Sequence, residues 1–449
     1  MDFMLRRRCL AVLTGMLFAS VHSAGRGVAA PLDLAGIGSD LSFIEQQAGK
    51  TVAALASPAV YPRAGGDSGA WSTVGAADWT SGFFPGEMWL LYQATGSAQW
   101  RSDAQAWTAP LAAQATRTDT HDVGFIIGAS FGNGYRLTGD PVYKTTILQA
   151  GAALATRFNP TIGAVRSWDF GSWQSPVIID NMMTLGPLQW GAANGGNPAW
   201  AAMASAHAAT TAADLVRTDG GTFHLADFNP ATGALLAQET YQGYANSSTW
   251  TRGQAWGLYG FVQAFQATGN PAFLATAEQL ATFYIDNLPT DFVPYWDFNA
   301  PVSATTPRDT SSAAIAADGL VLLSTLAETP AEQAAYLLAG RNILGALSTG
   351  AYLAPGSSDA VLAHGSGFVP AGSEVDTALI YGDYFFTEGL LRLQDALLGQ
   401  PEWSLYDSAA TPVPEPASFV ILAASLVALL SQRLRNVRMA PVVPGAEGW

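Results

Sequence analysis

Apolar residues recur every three to four positions along most of this chain, the period of a helix with one buried face. Phe273, Ala277, Leu280 and Tyr284 make one such stripe and predict a helix that Asn287, Leu288 and Pro289 bring to an end. The helical stretches are rich in alanine and are divided by a recurring punctuation. It runs Thr95-Gly96-Ser97, Thr138-Gly139-Asp140-Pro141, Gly196-Asn197-Pro198, Thr268-Gly269-Asn270-Pro271 and Gly399-Gln400-Pro401, with Thr329-Pro330 as a reduced form. Glycine stops a helix in the left-handed conformation, Ser, Asp or Asn caps the next one, and proline fits its first turn. Six such marks, roughly 40 to 75 residues apart, predict helix pairs arranged in a closed ring, and so a single all-α domain. An open stack of hairpins is the alternative, and the unequal spacing counts against it. The loops between hairpins are long enough to build a site at one end of the ring.

The two ends of the chain follow other patterns. Arg6, Arg7 and Arg8 precede the apolar run from Cys9 to Ala19, and mostly small residues follow to Ala30. This is the order of a secretory signal peptide, assigned to residues 1–30. At the other end, Val413-Pro414-Glu415-Pro416 leads into an apolar run from Ala417 to Leu430, then Arg433, Arg435 and Arg438. The run is short beside the roughly 20 residues of a comfortable span, and the charges behind it obey the positive-inside expectation. Residues 406–449 therefore read as a linker and a short hydrophobic sorting helix with an arginine cluster, and 31–405 as the catalytic domain.

Composition removes several function classes. Cys9, inside the signal, is the one cysteine, so the exported domain uses neither disulfides nor thiol chemistry. Formal net charge is −15, and Lys50 and Lys144 are the only lysines. Without a basic stripe, nucleic acid is not an expected partner. An anionic small ligand is still compatible, because a few arginines act locally while the overall charge is screened within about 8–10 Å.

Chemistry gathers in a few motifs. Trp250-Thr251-Arg252 and Trp256 place indoles around a guanidinium. Arginine grips a carboxylate with two parallel donors, and indole stacks on the apolar face of a sugar ring. The plainer reading is a helix start with aromatics packed inward. His121-Asp122 and Asp180-Asn181 each open an apolar helix, where an aspartate is often only a cap. Asp180 follows Val177-Ile178-Ile179, and burial beside such a run raises a carboxyl pKa. An acid that keeps its proton near neutrality can donate it during reaction. His224 lies in a strand-like or loop segment, Asp309 reads as a helix cap, and Asp291 to Asp297 reads as a pocket rim or a packed loop. No His/Glu pair has metal spacing and no serine nucleophile elbow occurs, so neither metal nor cofactor is expected.

Taken in order, Asp78-Trp79-Thr80-Ser81-Gly82-Phe83-Phe84-Pro85-Gly86, His121-Asp122, Ile179-Asp180-Asn181-Met182, Trp250 to Trp256, Pro294-Tyr295-Trp296-Asp297-Phe298 and Tyr381-Gly382-Asp383-Tyr384 resemble the unsaturated glucuronyl hydrolases of glycoside hydrolase family 88. The resemblance spans about Ser42 to Leu397 and implies an (α/α)6 six-hairpin barrel. It implies a substrate too: oligosaccharides left by polysaccharide lyases, with a 4,5-unsaturated uronic acid at the non-reducing end. By the resemblance, Asp180 protonates C4 and activates the water that adds at C5, and Asp122 orients sugar hydroxyls. Arg252 faces the uronate carboxylate, His224 and Gln242 hydrogen-bond the sugar, and Trp79, Trp250 and Trp256 form stacking walls.

The C-terminal pattern resembles the Pro-Glu-Pro sorting signal of certain Gram-negative bacteria, which implies transient contact with the inner membrane before release. The loop from Leu362 to Pro370 carries no Lys or Arg, which argues against a preference for sulfated chains. Two other readings stand beside this one: an unsaturated rhamnogalacturonyl hydrolase of the same fold, and a surface carbohydrate-binding protein without catalysis. A lyase or inverting glycosidase on the same barrel is a third class.

Overall fold

The structure is a computed structural model that describes residues 31–55, 57–65 and 70–404. The signal assigned to residues 1–30 and the tail assigned to 406–449 lie outside the described residues. Among the described residues, no helix is long and apolar enough to cross a membrane.

Thirteen α-helices, counted among the described residues, alternate between an inner and an outer layer. The inner layer is α2 (Phe83–Thr95), the broken pair α4 (Val123–Ile127) and α5 (Asn133–Thr138), α7 (Gly186–Ala193), α9 (Thr251–Thr268), α11 (Thr310–Leu326) and α13 (Ile380–Leu398). The outer layer is α1 (Leu34–Ala54), α3 (Ala98–Thr108), α6 (Pro141–Thr156), α8 (Ala199–Asp214), α10 (Pro271–Asp286) and α12 (Pro330–Leu347). Sequence explains the layers. On α11 every residue from Thr310 to Ser324 is buried, whereas α10 buries only the stripe Phe273, Leu274, Ala277, Leu280, Ala281 and Tyr284. A helix apolar on all sides belongs inside, and an amphipathic one covers it. The inner helices touch in a closed ring.

The punctuation marks are the inner-to-outer turns. Gly96, Gly139 and Gly269 take φ of 65–66°, and Ser97, Asp140 and Asn270 cap the helices that follow. Thr329 and Glu332 form a reciprocal capping box ahead of Pro330. At the third junction the left-handed residue is Gly195, one place earlier than expected, and Asn197 caps from outside the helix through Ala199 N–H at 3.0 Å. The mark at Gly399 departs from expectation. It ends α13, but no helix follows within the described residues. The outer partner of α13 is α1, at the opposite end of the sequence, so α1 completes the sixth hairpin and closes the ring.

Outer-to-inner returns are long and carry every strand described. β1 (Tyr61–Gly65), β2 (Trp71–Val74), β8 (Gly365–Phe368) and β9 (Ser373–Leu379) pair antiparallel in the order β2-β1-β9-β8. A short hairpin joins β3 (Phe158–Asn159) and β4 (Ala164–Val165). β5 (Pro176–Ile178), β6 (Leu225–Phe228) and β7 (Leu235–Glu239) form a second antiparallel sheet, with Val177 opposite Ala226. These sheets line one mouth of the ring, where the inner helices begin. A floor of Phe83, Phe125, Trp256 and Phe385 closes the lumen beneath that mouth, with Phe125 and Phe385 5.1 and 5.3 Å from the Trp256 ring. Below the floor a cavity of about 350 Å³ opens towards the far mouth, lined by Gln189, Asn194, Gln263, Glu388 and Arg392. There Trp403 lies between the guanidinium groups of Arg136 and Arg392, each 3.9 Å from its ring.

Candidate active site

The acid is set by a turn wedged between two helices. After β5, residues Ile179–Thr184 form a 3-10 turn in which Ile179 and Asn181 are fully buried. Asn181 anchors it, donating to Val165 O at 2.9 Å and accepting from Ser167 Oγ at 2.8 Å. Gly124 of α4 meets the turn so closely that a Cβ there would lie 2.5 Å from the Thr184 backbone. On α9, Gly257 and Gly260 give the flat face against which Ile179 and Met182 pack. Asp180 is left pointing into the cup, 9% exposed, with its Oδ2 unpartnered among the described residues. Its side chain caps nothing, which removes the plain reading.

Ser167 ties this turn to the second carboxylate. Its carbonyl accepts from both the backbone N–H and Nδ1 of His121, each at 2.9 Å, and its Oγ accepts from Ile178 N–H at 2.9 Å. Asp122 follows His121, half-buried and also without a capping bond of its own. Thr120 Oγ1 donates to Asp122 Oδ2 at 2.7 Å, and His121 Nε2 stands 3.5 Å from Oδ1.

The two histidines hold opposite tautomers. Nδ1 of His121 faces a carbonyl and therefore carries the proton, leaving Nε2 as an acceptor. Nδ1 of His224 instead accepts from the backbone N–H groups of Tyr241 at 2.9 Å and Gln242 at 3.1 Å. Its proton therefore sits on Nε2, 3.8 Å from Asp180 Oδ2, too far for a hydrogen bond. Burial, and then the positive charge of Arg252, push the His224 imidazole down to about 3, so it is a neutral donor. Burial pushes the Asp180 carboxyl up from 3.8 to about 7, against Arg252 and its own backbone N–H, and Asp122 adds a smaller push.

Arg252 is placed differently from expectation. Its Nη1 donates to Asp309 Oδ2 at 3.1 Å and to Ser366 O, and its Nη2 to Gly367 O at 2.6 Å. The fork expected to grip a carboxylate is thus held by the protein, and the buried Nε is the nitrogen without a hydrogen-bond partner among the described residues. The plane is covered by Trp250 at 4.4 Å and Tyr381 at 5.2 Å. Asp309 does cap α11, through Ser311 and Ser312 N–H, and also carries this ion pair. Trp250, 3% exposed, lies 4.8 Å from the His224 ring. Trp79 is half-buried at the rim, 4.9 Å from Tyr381, and Gln242 reaches Gly367 O at 3.3 Å. Trp256 is not a wall of the cup. It is fully buried in the floor, one helical turn deeper than Arg252. The 291–297 stretch is a packed loop, where Asp297 Oδ2 accepts from Tyr244 N–H and Ser248 Oγ.

His121 and Tyr381 belong to the cup but were given no role from sequence. The buried hydroxyl of Tyr381 has no hydrogen-bond partner among the described residues, like Nε2 of His121 and of His224. Their signal was present: both stand inside the motifs quoted above. The cup is therefore a polar pocket in a dry aromatic wall, with one proton-holding carboxyl, one guanidinium and the first turns of the inner helices around it. Helix N-termini and a guanidinium favour an anionic ligand.

No family model matches the chain. It is 40% identical over 332 residues, 72% of this chain and 82% of the other, to an unsaturated glucuronyl hydrolase of Formosa agariphila. It is 34% identical to that of Bacillus sp. strain GL1, over 72% of this chain and 88% of the relative. Among solved structures, an unsaturated glucuronyl hydrolase specific for heparin superposes with a TM-score of 0.78 at 36% identity, covering 81% of this chain and 98% of that one. With that identity and coverage, on a barrel of the same architecture, this chain belongs to the unsaturated glucuronyl hydrolase family.

Proposed function

We propose that this protein removes the 4,5-unsaturated uronic acid from the non-reducing end of lyase-generated oligosaccharides by hydrating the C4=C5 vinyl ether. The observation that carries it is the buried Asp180 carboxyl, held up to about 7 with a bare Oδ2 at the bottom of an aromatic cup. In the first step the Asp180 proton moves to C4. Water then adds its oxygen to C5 and returns a proton to the carboxylate, which restores the acid. The C5 hemiketal opens by breaking the bond to the ring oxygen, and the C1 hemiacetal so formed expels the remaining sugar chain. One carboxyl serves both proton transfers, unlike the paired carboxylates of ordinary glycoside hydrolysis.

The other residues bind and orient. Arg252 presents a single Nε–H and a full positive charge to the uronate carboxylate. His224 offers Nε2–H, Asp122 and His121 accept from sugar hydroxyls, and Trp79 and Trp250 flank the ring. Gln242 completes the rim. No observation favours the rhamnogalacturonyl or non-catalytic alternatives.

The test is the decay of the conjugated-alkene ultraviolet absorbance on an unsaturated disaccharide, beside Asp180→Asn. Stable absorbance with wild type rejects the hydratase, and equal rates reject Asp180 as proton carrier. We read residues 1–30 and 406–449 as export and Pro-Glu-Pro sorting segments of a Gram-negative envelope protein, in transient contact with the inner membrane. Mass spectrometry of the protein from its host checks this, and a mature chain retaining both ends refutes it.

A further inference from the structure

The aromatic side chains do not stop at the rim of the cup. Trp168 is buried beside both site histidines, its ring 6.5 Å from His121 and 6.4 Å from His224. Phe170 lies flat on it, with centroids 4.7 Å apart and planes 16° from parallel. Tyr241 meets both rings, at 5.7 and 5.8 Å, and Phe368 of β8 lies 4.8 Å beyond it. Three separate segments thus supply one continuous surface. Phe170 is 52% exposed and Tyr241 39% exposed, so the outermost rings turn apolar area to solvent. A lone exposed aromatic needs no explanation, but a contiguous set that adjoins a binding cup marks a ligand surface.

Charge narrows the ligand. Asp169 is paired with Arg157 and Arg166, and Glu239 accepts from Trp173 Nε1 at 2.8 Å. A flat aromatic face bordered by one ion-paired aspartate and one hydrogen-bonded carboxylate, uncompensated among the described residues, suits the apolar face of a pyranose without sulfate. Order outward from Asp180 sets the position: the His224 ring is first, Trp168 second, and Phe170 with Tyr241 third.

We infer that Phe170 and Tyr241 form a distal subsite that stacks on the third sugar of an unsulfated oligosaccharide, so that this protein favours substrates longer than a disaccharide. The inference rests on the hydrolase function proposed above.

The experiment compares kcat/KM on the unsaturated disaccharide and tetrasaccharide that a lyase releases from hyaluronan, for wild type, Phe170→Ala and Phe170→Trp. Wild type is expected to favour the tetrasaccharide by about fivefold, the scale of one aromatic stacking contact. Phe170→Ala removes that preference through KM, and Phe170→Trp keeps it. Equal constants on both lengths in wild type overturn the inference. So does an equal loss on both lengths in Phe170→Ala, which would make Phe170 a mere cover for Trp168. Absence of turnover on either length sinks the hydrolase function instead. Titration with the same sugars, followed by tryptophan fluorescence, then decides the subsite: tighter tetrasaccharide binding that Phe170→Ala abolishes supports it, and equal binding overturns it.

Discussion

Replacing Asp180 with asparagine is expected to stabilise the protein above neutral pH while abolishing turnover. Below pH 3.8 the folded and unfolded chains both carry the proton, and residue 180 adds no pH dependence. Between 3.8 and about 7 the unfolded chain releases it and the folded chain keeps it, so stability falls as pH rises. Above about 7 the loss is complete. A gap of about three pH units at 1.36 kcal/mol each is about 4 kcal/mol. Asparagine carries no such cost. Between pH 5 and pH 8 the variant should therefore gain about 3 kcal/mol over wild type. For a barrel of about 370 residues this is about 4 °C in Tm, from the usual unfolding entropy per residue. Calorimetry of both proteins across that range is the assay. Any fixed difference in hydrogen bonding between Asp and Asn shifts every point alike, so the slope is the readout. A gap that stays constant with pH would refute the raised carboxyl pKa, and with it the claim that Asp180 stores a proton at neutrality.

Three further expectations follow from the same geometry. Turnover needs Asp180 protonated, so kcat/KM should fall above about pH 7, approaching tenfold per pH unit; a profile flat to pH 9 contradicts the mechanism. Ser167→Ala removes the hydroxyl that links the segment holding His121 to the Asp180 turn without touching the cup, and should lower kcat by about 10- to 100-fold with KM little changed. Unchanged kcat would show that the two carboxylates are registered by packing alone. Asp309→Ala strands the Arg252 guanidinium in a site where it is 1% exposed, at a cost of about 3–5 kcal/mol; thermal denaturation that matches wild type would show the ion pair to be dispensable.

The parts of this molecule that were legible in its sequence are those decided within a few residues. Glycine, cap and proline at Gly139, Asp140 and Pro141 or Gly269, Asn270 and Pro271 announce a turn by their own backbone preferences, so the helix pairs could be counted. Asp180 betrayed its burial through the three apolar residues before it. What escaped is what distant segments contribute. The carbonyls of Ser366 and Gly367 occupy the Arg252 fork from more than a hundred residues away, and no local pattern announces them. Trp256 was grouped with Trp250 by proximity in sequence, whereas a helix carries it one turn down into the floor. Among the described residues no helix follows the mark at Gly399, because the outer partner of α13 is α1, at the start of the domain.

That last arrangement governs how the molecule must be assembled. Leu32 N–H reaches Arg341 O at 3.4 Å, and Gln47 Nε2 donates to Ser358 O and Ala360 O at 2.8 and 2.7 Å, so the opening helix is fastened to segments some three hundred residues downstream. α2 covers part of its apolar face early, but the part that packs on α13 waits until that helix is made, and joining such remote pieces delays folding through loop-closure entropy. No intermediate length of chain owns a sealed interior. A ribosome that stops short of residue 380 therefore releases a staved cask missing its last plank, prey to proteases and self-association, and the catalytic cup comes into being only when the hoop is drawn tight.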